Sequence, residues 1–186
     1  MANRIKYGIS SVYYAPITDL DTGTFGTPVA MPGAVSLTLE QQGEVYKSYA
    51  DNIVWYQAAA NNGYEGDLEL RTIPETFYTD ILGQSLEETD KVLVEKSTDS
   101  TKPFALLFKF NGDAANIDHV LYYCTATRPS IESTTVEDTV EVGSEIITIS
   151  AAGLPSNGLV KAKSTPDTTS TITQKWYTEV YVPTGE

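Results

Sequence analysis

The stretch Tyr64-Glu65-Gly66-Asp67-Leu68-Glu69-Leu70-Arg71-Thr72 constrains the fold more than any other part of this chain. Strand side chains alternate between two faces, so Tyr64, Gly66, Leu68 and Leu70 share one face and Glu65, Asp67, Glu69 and Arg71 the other. Three carboxylates in a row repel one another, and that face has to look into bulk water or a wet channel. The strand runs directly into Ile73-Pro74-Glu75-Thr76-Phe77-Tyr78-Thr79-Asp80-Ile81-Leu82-Gly83, which reads as a short helix. Pro74 suits a first helical turn, Phe77 and Ile81 stack at i,i+4, and Gly83 suits the left-handed position past the end.

Elsewhere strands dominate. Ile5 to Tyr14 alternates apolar and polar residues, Asp19 to Gly23 is a turn, Pro28 to Gly33 is loop, and Val35 to Glu40 has strict period two. Gly43 to Gly63 is a long excursion carrying Tyr46, Tyr49, Trp55 and Tyr56, returning through a strand near Ile53 to Ala59 and ending in an Asn61-Asn62-Gly63 turn. Lys91 to Glu95 is a short strand. Phe104, Leu106, Phe108 and Phe110 share one face of a core strand expected beneath Phe77 and Ile81, with a turn at Asn111-Gly112-Asp113 and a return strand over His119 to Thr127. Further strands are expected near Val140 to Ser150, Leu159 to Lys163 and Lys175 to Val182. Short strands at this spacing predict a mainly β sandwich or barrel with one short helix and one long protruding loop. The 186 residues make one domain, with residues 130–186 its last strands.

The charge balance narrows the function. With 25 acidic against 12 basic residues, the net charge of −13 opposes attraction to nucleic acid or an anionic membrane. The single cysteine, Cys124, sits in an apolar run and reads as a small buried thiol. Met1-Ala2-Asn3-Arg4-Ile5-Lys6 has no apolar run behind its basic residues, so no signal peptide is expected and folding is placed in a cytoplasm. No stretch approaches the roughly 18 apolar residues of a membrane helix.

Catalytic constellations are not found. His119, the only histidine, opens a hydrophobic strand, and no G-x-S-x-G accompanies it. Asp19-x-Asp21-x-Gly23 lacks the remaining ligands of a calcium loop and reads as a capped turn. Glu87-Glu88-Thr89-Asp90 reads as a solvated loop, and Gly63-x-x-Gly66 is too short for a phosphate loop. Nothing asks for a catalytic residue, a metal or a cofactor, and the chain is expected not to be an enzyme.

These elements occur in an order that resembles the major tail proteins of long-tailed, non-contractile bacteriophages, in particular a family found in phages of Gram-positive hosts. The resemblance rests on Tyr7-Gly8-Ile9 with Val12-Tyr13-Tyr14-Ala15, Pro32-Gly33-Ala34-Val35, Tyr49-Ala50-Asp51-Asn52, Gly63-Tyr64-Glu65-Gly66 with Leu68-Glu69-Leu70, and Ile73-Pro74 with Phe77 and Ile81-Leu82-Gly83. It continues through Phe104-Ala105-Leu106-Leu107-Phe108, Leu121-Tyr122-Tyr123-Cys124, Arg128-Pro129, Trp176 and Val180-Tyr181-Val182-Pro183. Some relatives carry an immunoglobulin-like decoration domain, which is not expected here.

The resemblance implies a tail tube protein of the virion, assembled in the host cytoplasm. Hexameric rings would stack into a tube conducting genomic DNA without specific binding and without a membrane. Partners would be further copies, a tape measure protein, and tail terminator and distal tail proteins. On this reading Glu65, Asp67 and Glu69 line the lumen, and Tyr46, Tyr49, Trp55 and Tyr56 make contacts between rings through a loop that orders only on assembly. The alternative from another class is a monomeric β-sandwich binding or adhesion module with Trp55, Tyr56 or Trp176 as a stacking platform.

Overall fold

The computed structural model describes residues 5, 7–112, 114–131 and 142–183. Lys6, Asp113, Val140 and Glu141, which enter the expected strands and turn, lie outside them. Among the described residues the strands are β1 (Ile9–Asp19), β2 (Thr24–Phe25), β3 (Val29–Ala30), β4 (Ala34–Gln41), β5 (Val45–Ala50), β6 (Ile53–Ala59) and β7 (Tyr64–Leu70). Helix α1 (Glu75–Asp80) follows, then β8 (Ser85–Leu86), β9 (Leu93–Val94), β10 (Phe104–Phe110), β11 (Asp118–Ala126), β12 (Glu145–Ala152), β13 (Lys161–Lys163) and helix α2 (Ser170–Lys175). The fold is mainly β, as expected, and its centre is one antiparallel sheet in the order β2-β1-β10-β11-β12-β7-β4. Strand β3 lies beside β1 and β13 beside β11, while β5-β6 and β8-β9 form separate two-stranded ribbons.

The sheet curls but does not close into a barrel. Strand β3 pairs with β1 through Tyr13↔Ala30, yet Ala34 already pairs with Leu70 at the opposite end of the strand order. Four residue steps span at most roughly 14 Å, so Pro32 and Gly33 hold the two ends of the sheet together there. Toward the start of β1 the ends part, leaving a cleft of about 310 Å³ lined by Tyr7, Gly8, Ile9, Val35, Ser36, Leu37 and Phe110.

A β-bulge sets which side chains fill the curl. Ser10 pairs with Lys109 and Tyr13 with Leu107, so Ser11 and Val12 together oppose Phe108, and Ser11 takes a left-handed φ of 53°. The extra residue reverses the alternation. Ile9, Val12 and Tyr14 all reach the inner core, and Tyr13 and Ala15 reach the outer one.

The inner core holds Leu68, Leu70, Phe104, Leu106, Phe108, Leu121, Ile147 and Ile149, with Phe77 and Ile81 of the α1 segment over it. Phe77 meets Tyr14 and Phe104 edge-on at ring distances of 5.2 and 5.6 Å. The Tyr14 hydroxyl donates to Asp80 Oδ2 at 3.0 Å, and burial pushes its pKa up to about 12. The expected Phe104 face is therefore in place beneath the helix. Gly83, at φ 77°, ends this segment as anticipated, although the helix proper is shorter than its pattern.

The other face of β10 and β11 is buried too. Ala105, Leu107, Val120 and Tyr122 pack against Leu154, Trp176 and Val180. The segment 170–183 is not a strand over Lys175 to Val182: it is α2 followed by an irregular run that lies across the sheet, and the described residues hold two helices rather than one. Trp176 is 2% exposed, stacks on Tyr181 and donates from Nε1 to the His119 carbonyl at 3.4 Å, so it offers no ligand platform. Tyr122 fixes the run by donating to the Tyr181 carbonyl at 2.8 Å, and Tyr177 by donating to Asp118 Oδ1 at 2.8 Å. Smaller differences are that regular pairing covers only Leu93–Val94 and Lys161–Lys163 of their predicted strands, and that the loop at Pro28 to Gly33 contains β3.

Phe108→Ala should cost about 3–5 kcal/mol in denaturant titration, the usual penalty for deleting a buried aromatic; a loss below about 1 kcal/mol would contradict this packing. Gly66 supplies a backbone test. A Cβ added there would lie 1.8 Å from the Thr38 carbonyl oxygen of β4, whereas one at Gly143 meets nothing within 4 Å. Gly66→Ala should destabilise by at least about 3 kcal/mol and Gly143→Ala by less than about 0.5 kcal/mol.

Candidate functional site

Two surfaces stand out, an acidic sheet face and a projecting ribbon. On β7, Leu68 and Leu70 are buried inward, and Glu65 and Asp67 are exposed on the opposite face with Glu69 partly so. The pairing builds that face outward from β7. Glu65 lies between Glu40 of β4 and Ser150 of β12, Asp67 between Thr38 and Thr148, and Glu69 between Ser36 and Ile146. Thr125 of β11, opposite Ser150, extends it by a fourth strand. The result is a wall of carboxylates and hydroxyls, interrupted by the exposed Ile146, with no lysine or arginine within these strand rows. Glu40 and the hydroxyl rows escape inspection of β7 alone; the alternation of Ser36, Thr38 and Glu40 in β4 was their visible signal.

The hydroxyls answer the repulsion among the carboxylates. Ser144 and Ser36 donate to Glu69 at 2.5 and 2.9 Å, and Thr148 donates to Asp67 at 2.8 Å. The Ser144 hydroxyl, then that of Ser36, holds the Glu69 carboxyl below the usual glutamate range, with a smaller contribution from Arg71. Arg71 itself donates to the carbonyls of Val142 and Gly143 at 2.7 and 3.3 Å rather than bridging the acidic row.

The excursion between Gly43 and Gly63 returns through the expected strand, β6, which pairs with β5 in a complete β-hairpin. Strands β5 and β6 turn at Asp51-Asn52, whose φ values of 51° and 61° match a type I′ turn. Tyr46, Tyr49, Trp55 and Tyr56 are 64%, 67%, 69% and 58% exposed, so the ribbon is not folded back over its own domain. Tyr49 pairs with Val54 and Ser48 with Tyr56, which leaves Trp55 as a bulged extra residue. Val45, Tyr49, Val54 and Trp55 accordingly occupy one face, and Tyr46, Ile53 and Tyr56 the other.

The residues weighed for other chemistry take structural places. Asp19 Oδ1 accepts from the amides of Asp21 and Thr22, a capped turn. Glu87 to Asp90 are exposed. The His119 ring is buried and stacks on Phe108 at 5.1 Å. Cys124 is buried, and burial pushes its thiol pKa up to about 12. Among the described residues no cluster of three metal-ligating side chains occurs, and no helix is long and apolar enough to cross a membrane.

No protein-family model and no curated protein matches the chain. Among solved structures, the cryo-EM structure of the anti-feeding prophage cap (AFP tube terminating cap) is similar with a TM-score of 0.46 and 10% identity, over 87% of this chain and 93% of that one.

The Glu69 clamp has a pH signature. Its depressed pKa contributes stability that is present above the unfolded-state value near 4.3 and is lost as pH falls through the lower folded value. Ser36→Ala with Ser144→Ala should raise the Glu69 midpoint toward the ordinary value in a carboxyl-carbon NMR titration. An unmoved midpoint would show that the hydroxyls do not hold the carboxylate.

Proposed function

We propose that this chain is a tail tube protein of a long-tailed, non-contractile phage, a structural component of the virion tail. It assembles in the host cytoplasm into hexameric rings that stack into a DNA-conducting tube. The observation that carries the reading is the four-strand polar wall opposite the core, with its carboxylate row at Glu65, Asp67 and Glu69. A conduit for DNA must not offer rows of lysine or arginine to phosphate, and a wall of carboxylates and hydroxyls meets that requirement. Two further features suit assembly. Strand β4 pairs only with β7 among the described strands, leaving an edge that a neighbouring subunit can continue. The ribbon presents aromatic side chains of the kind favoured in protein–protein contacts. Further copies are thus the first partners, with the tape measure, terminator and distal tail proteins at the ends of the tube.

The binding-module alternative is disfavoured by the ribbon's geometry. Trp176 is in the core and is removed as a platform, and Trp55 and Tyr56 lie on opposite faces, so those two cannot stack on one ligand together.

Negative-stain imaging and sedimentation of the purified chain should reveal rings or tubes. A strict monomer at high concentration would overturn the reading in favour of a monomeric module. In assembled tubes, replacing Glu65, Asp67 and Glu69 together by lysine should leave rings intact but make DNA adhere and slow its ejection. Unchanged DNA passage, or a tube structure with these carboxylates paired to a neighbouring chain away from the bore, would refute their place in the lumen.

A further inference from the structure

Three Asn-Gly pairs occur in the chain, Asn62-Gly63, Asn111-Gly112 and Asn157-Gly158. Such a pair is chemically labile in water, because glycine carries no Cβ to obstruct the approach of its amide to the preceding side chain. The fold treats the three differently. Gly63 is buried, and its amide donates to Asn61 Oδ1 at 3.2 Å. The Gly158 amide donates to the Leu154 carbonyl at 2.7 Å, and Asn157 Oδ1 accepts from the Leu159 amide at 3.1 Å. At both pairs the nitrogen that has to attack is already engaged.

Asn111, in the turn after β10, is exposed, and among the described residues none accepts from the Gly112 amide. Two neighbours favour reaction there. The Ser10 hydroxyl donates to Asn111 Oδ1 at 2.8 Å, the oxygen on which negative charge develops when the side-chain amide is attacked. The Tyr7 amide donates to the Asn111 carbonyl at 3.0 Å, which draws electron density from that peptide group and eases loss of the Gly112 proton. We infer that Asn111 is a site of self-catalysed deamidation, with Ser10 as its oxyanion donor.

In this reaction the Gly112 nitrogen bonds to Asn111 Cγ and gives its proton to solvent. The Cγ–Nδ2 bond breaks, and ammonia leaves after taking a proton back from solvent. The succinimide so formed takes up one water molecule and opens to aspartate or isoaspartate, with no oxidant or reductant involved. Either product sets a carboxylate beside Ser10. Isoaspartate also lengthens the backbone by one methylene at a crowded place, since a Cβ on Gly112 would run into the Tyr7 ring. Tyr7 lines the cleft between the ends of the sheet, so the reaction alters that cleft in one direction only.

Peptide mapping by mass spectrometry of the folded chain, held at mildly alkaline pH, tests the assignment. Asn111 should convert about tenfold faster than Asn62 or Asn157, the scale of one hydrogen bond that does not have to be broken. In denaturant the three rates should come together. Ser10→Ala should slow Asn111 about tenfold, less than the loss at an enclosed oxyanion hole because this donor is wet, and should leave Asn62 and Asn157 at their wild-type rates. Ser10→Thr keeps the hydroxyl and should restore the rate at Asn111. Conversion of Asn111 no faster than the other two in the folded chain would overturn the inference. So would a Ser10→Ala chain that converts there as fast as before or faster, or a Ser10→Thr chain as slow as Ser10→Ala.

Discussion

The whole arrangement depends on β10 and β11 being buried on both faces. Leu106 and Leu121 are fully buried toward the inner core, and Leu107, Val120 and Tyr122 are fully buried toward the outer one. A strand pair with no wet face requires two covers. The curl of the sheet, with the α1 segment over it, supplies the first; α2 and the run to Tyr181 supply the second. Because both covers are spent on the centre, the strands at one end of the order, β12, β7 and β4, keep a single buried face. Their other face is thereby free to be polar, and the acidic wall is a consequence of where the core lies.

That wall is built to tolerate its own charge. Exposed carboxylates about one strand spacing apart, such as Glu40 and Glu65, repel weakly in water but persistently. Serine and threonine on the flanking strands supply hydroxyl donors that stabilise the ionised form without adding a cation. Repulsion of phosphate from such a wall decays over about 8 Å at physiological salt. In a tube it would therefore keep a duplex off the wall and leave the axis unimpeded.

Strands whose period matched their environment were legible in the sequence. Period-two alternation placed β4, β7 and the inner face of β10 correctly, and the Pro74, Phe77, Ile81 and Gly83 spacing found the helix. What escaped had local patterns that tertiary structure overrode. The Ser11 bulge reverses the parity of β1, which no alternation rule anticipates. The segment around Trp176 alternates like a strand, but β10 and β11 already have their hydrogen-bonding partners, so it packs across their face through side chains and two tyrosine hydroxyls. In the Gly43–Gly63 excursion the return strand over Ile53–Ala59 was legible, but its partner β5 was not, because aromatics on both sides obscured the period of a ribbon that has no buried face to reveal it. The carboxylates of β7 were legible because they share one strand; Glu40 and the clamping hydroxyls were not, because they come from strands brought alongside by pairing.

The charge distribution also bears on the proposed assembly. A net charge of −13 spread evenly would oppose any self-association. The carboxylates of the sheet face are held by hydroxyls, and the remaining surface is acidic as well, with the β5–β6 ribbon as a neutral exception. The ribbon has a single lysine and a single aspartate among exposed aromatics. In the proposed tube, apolar contact between copies would be confined to this small element, while the broad acidic surface would repel. In the proposed tube, where each chain would add to its own kind, that division would favour specific addition over collapse, because an approach through the acidic face is repelled before the aromatics can meet.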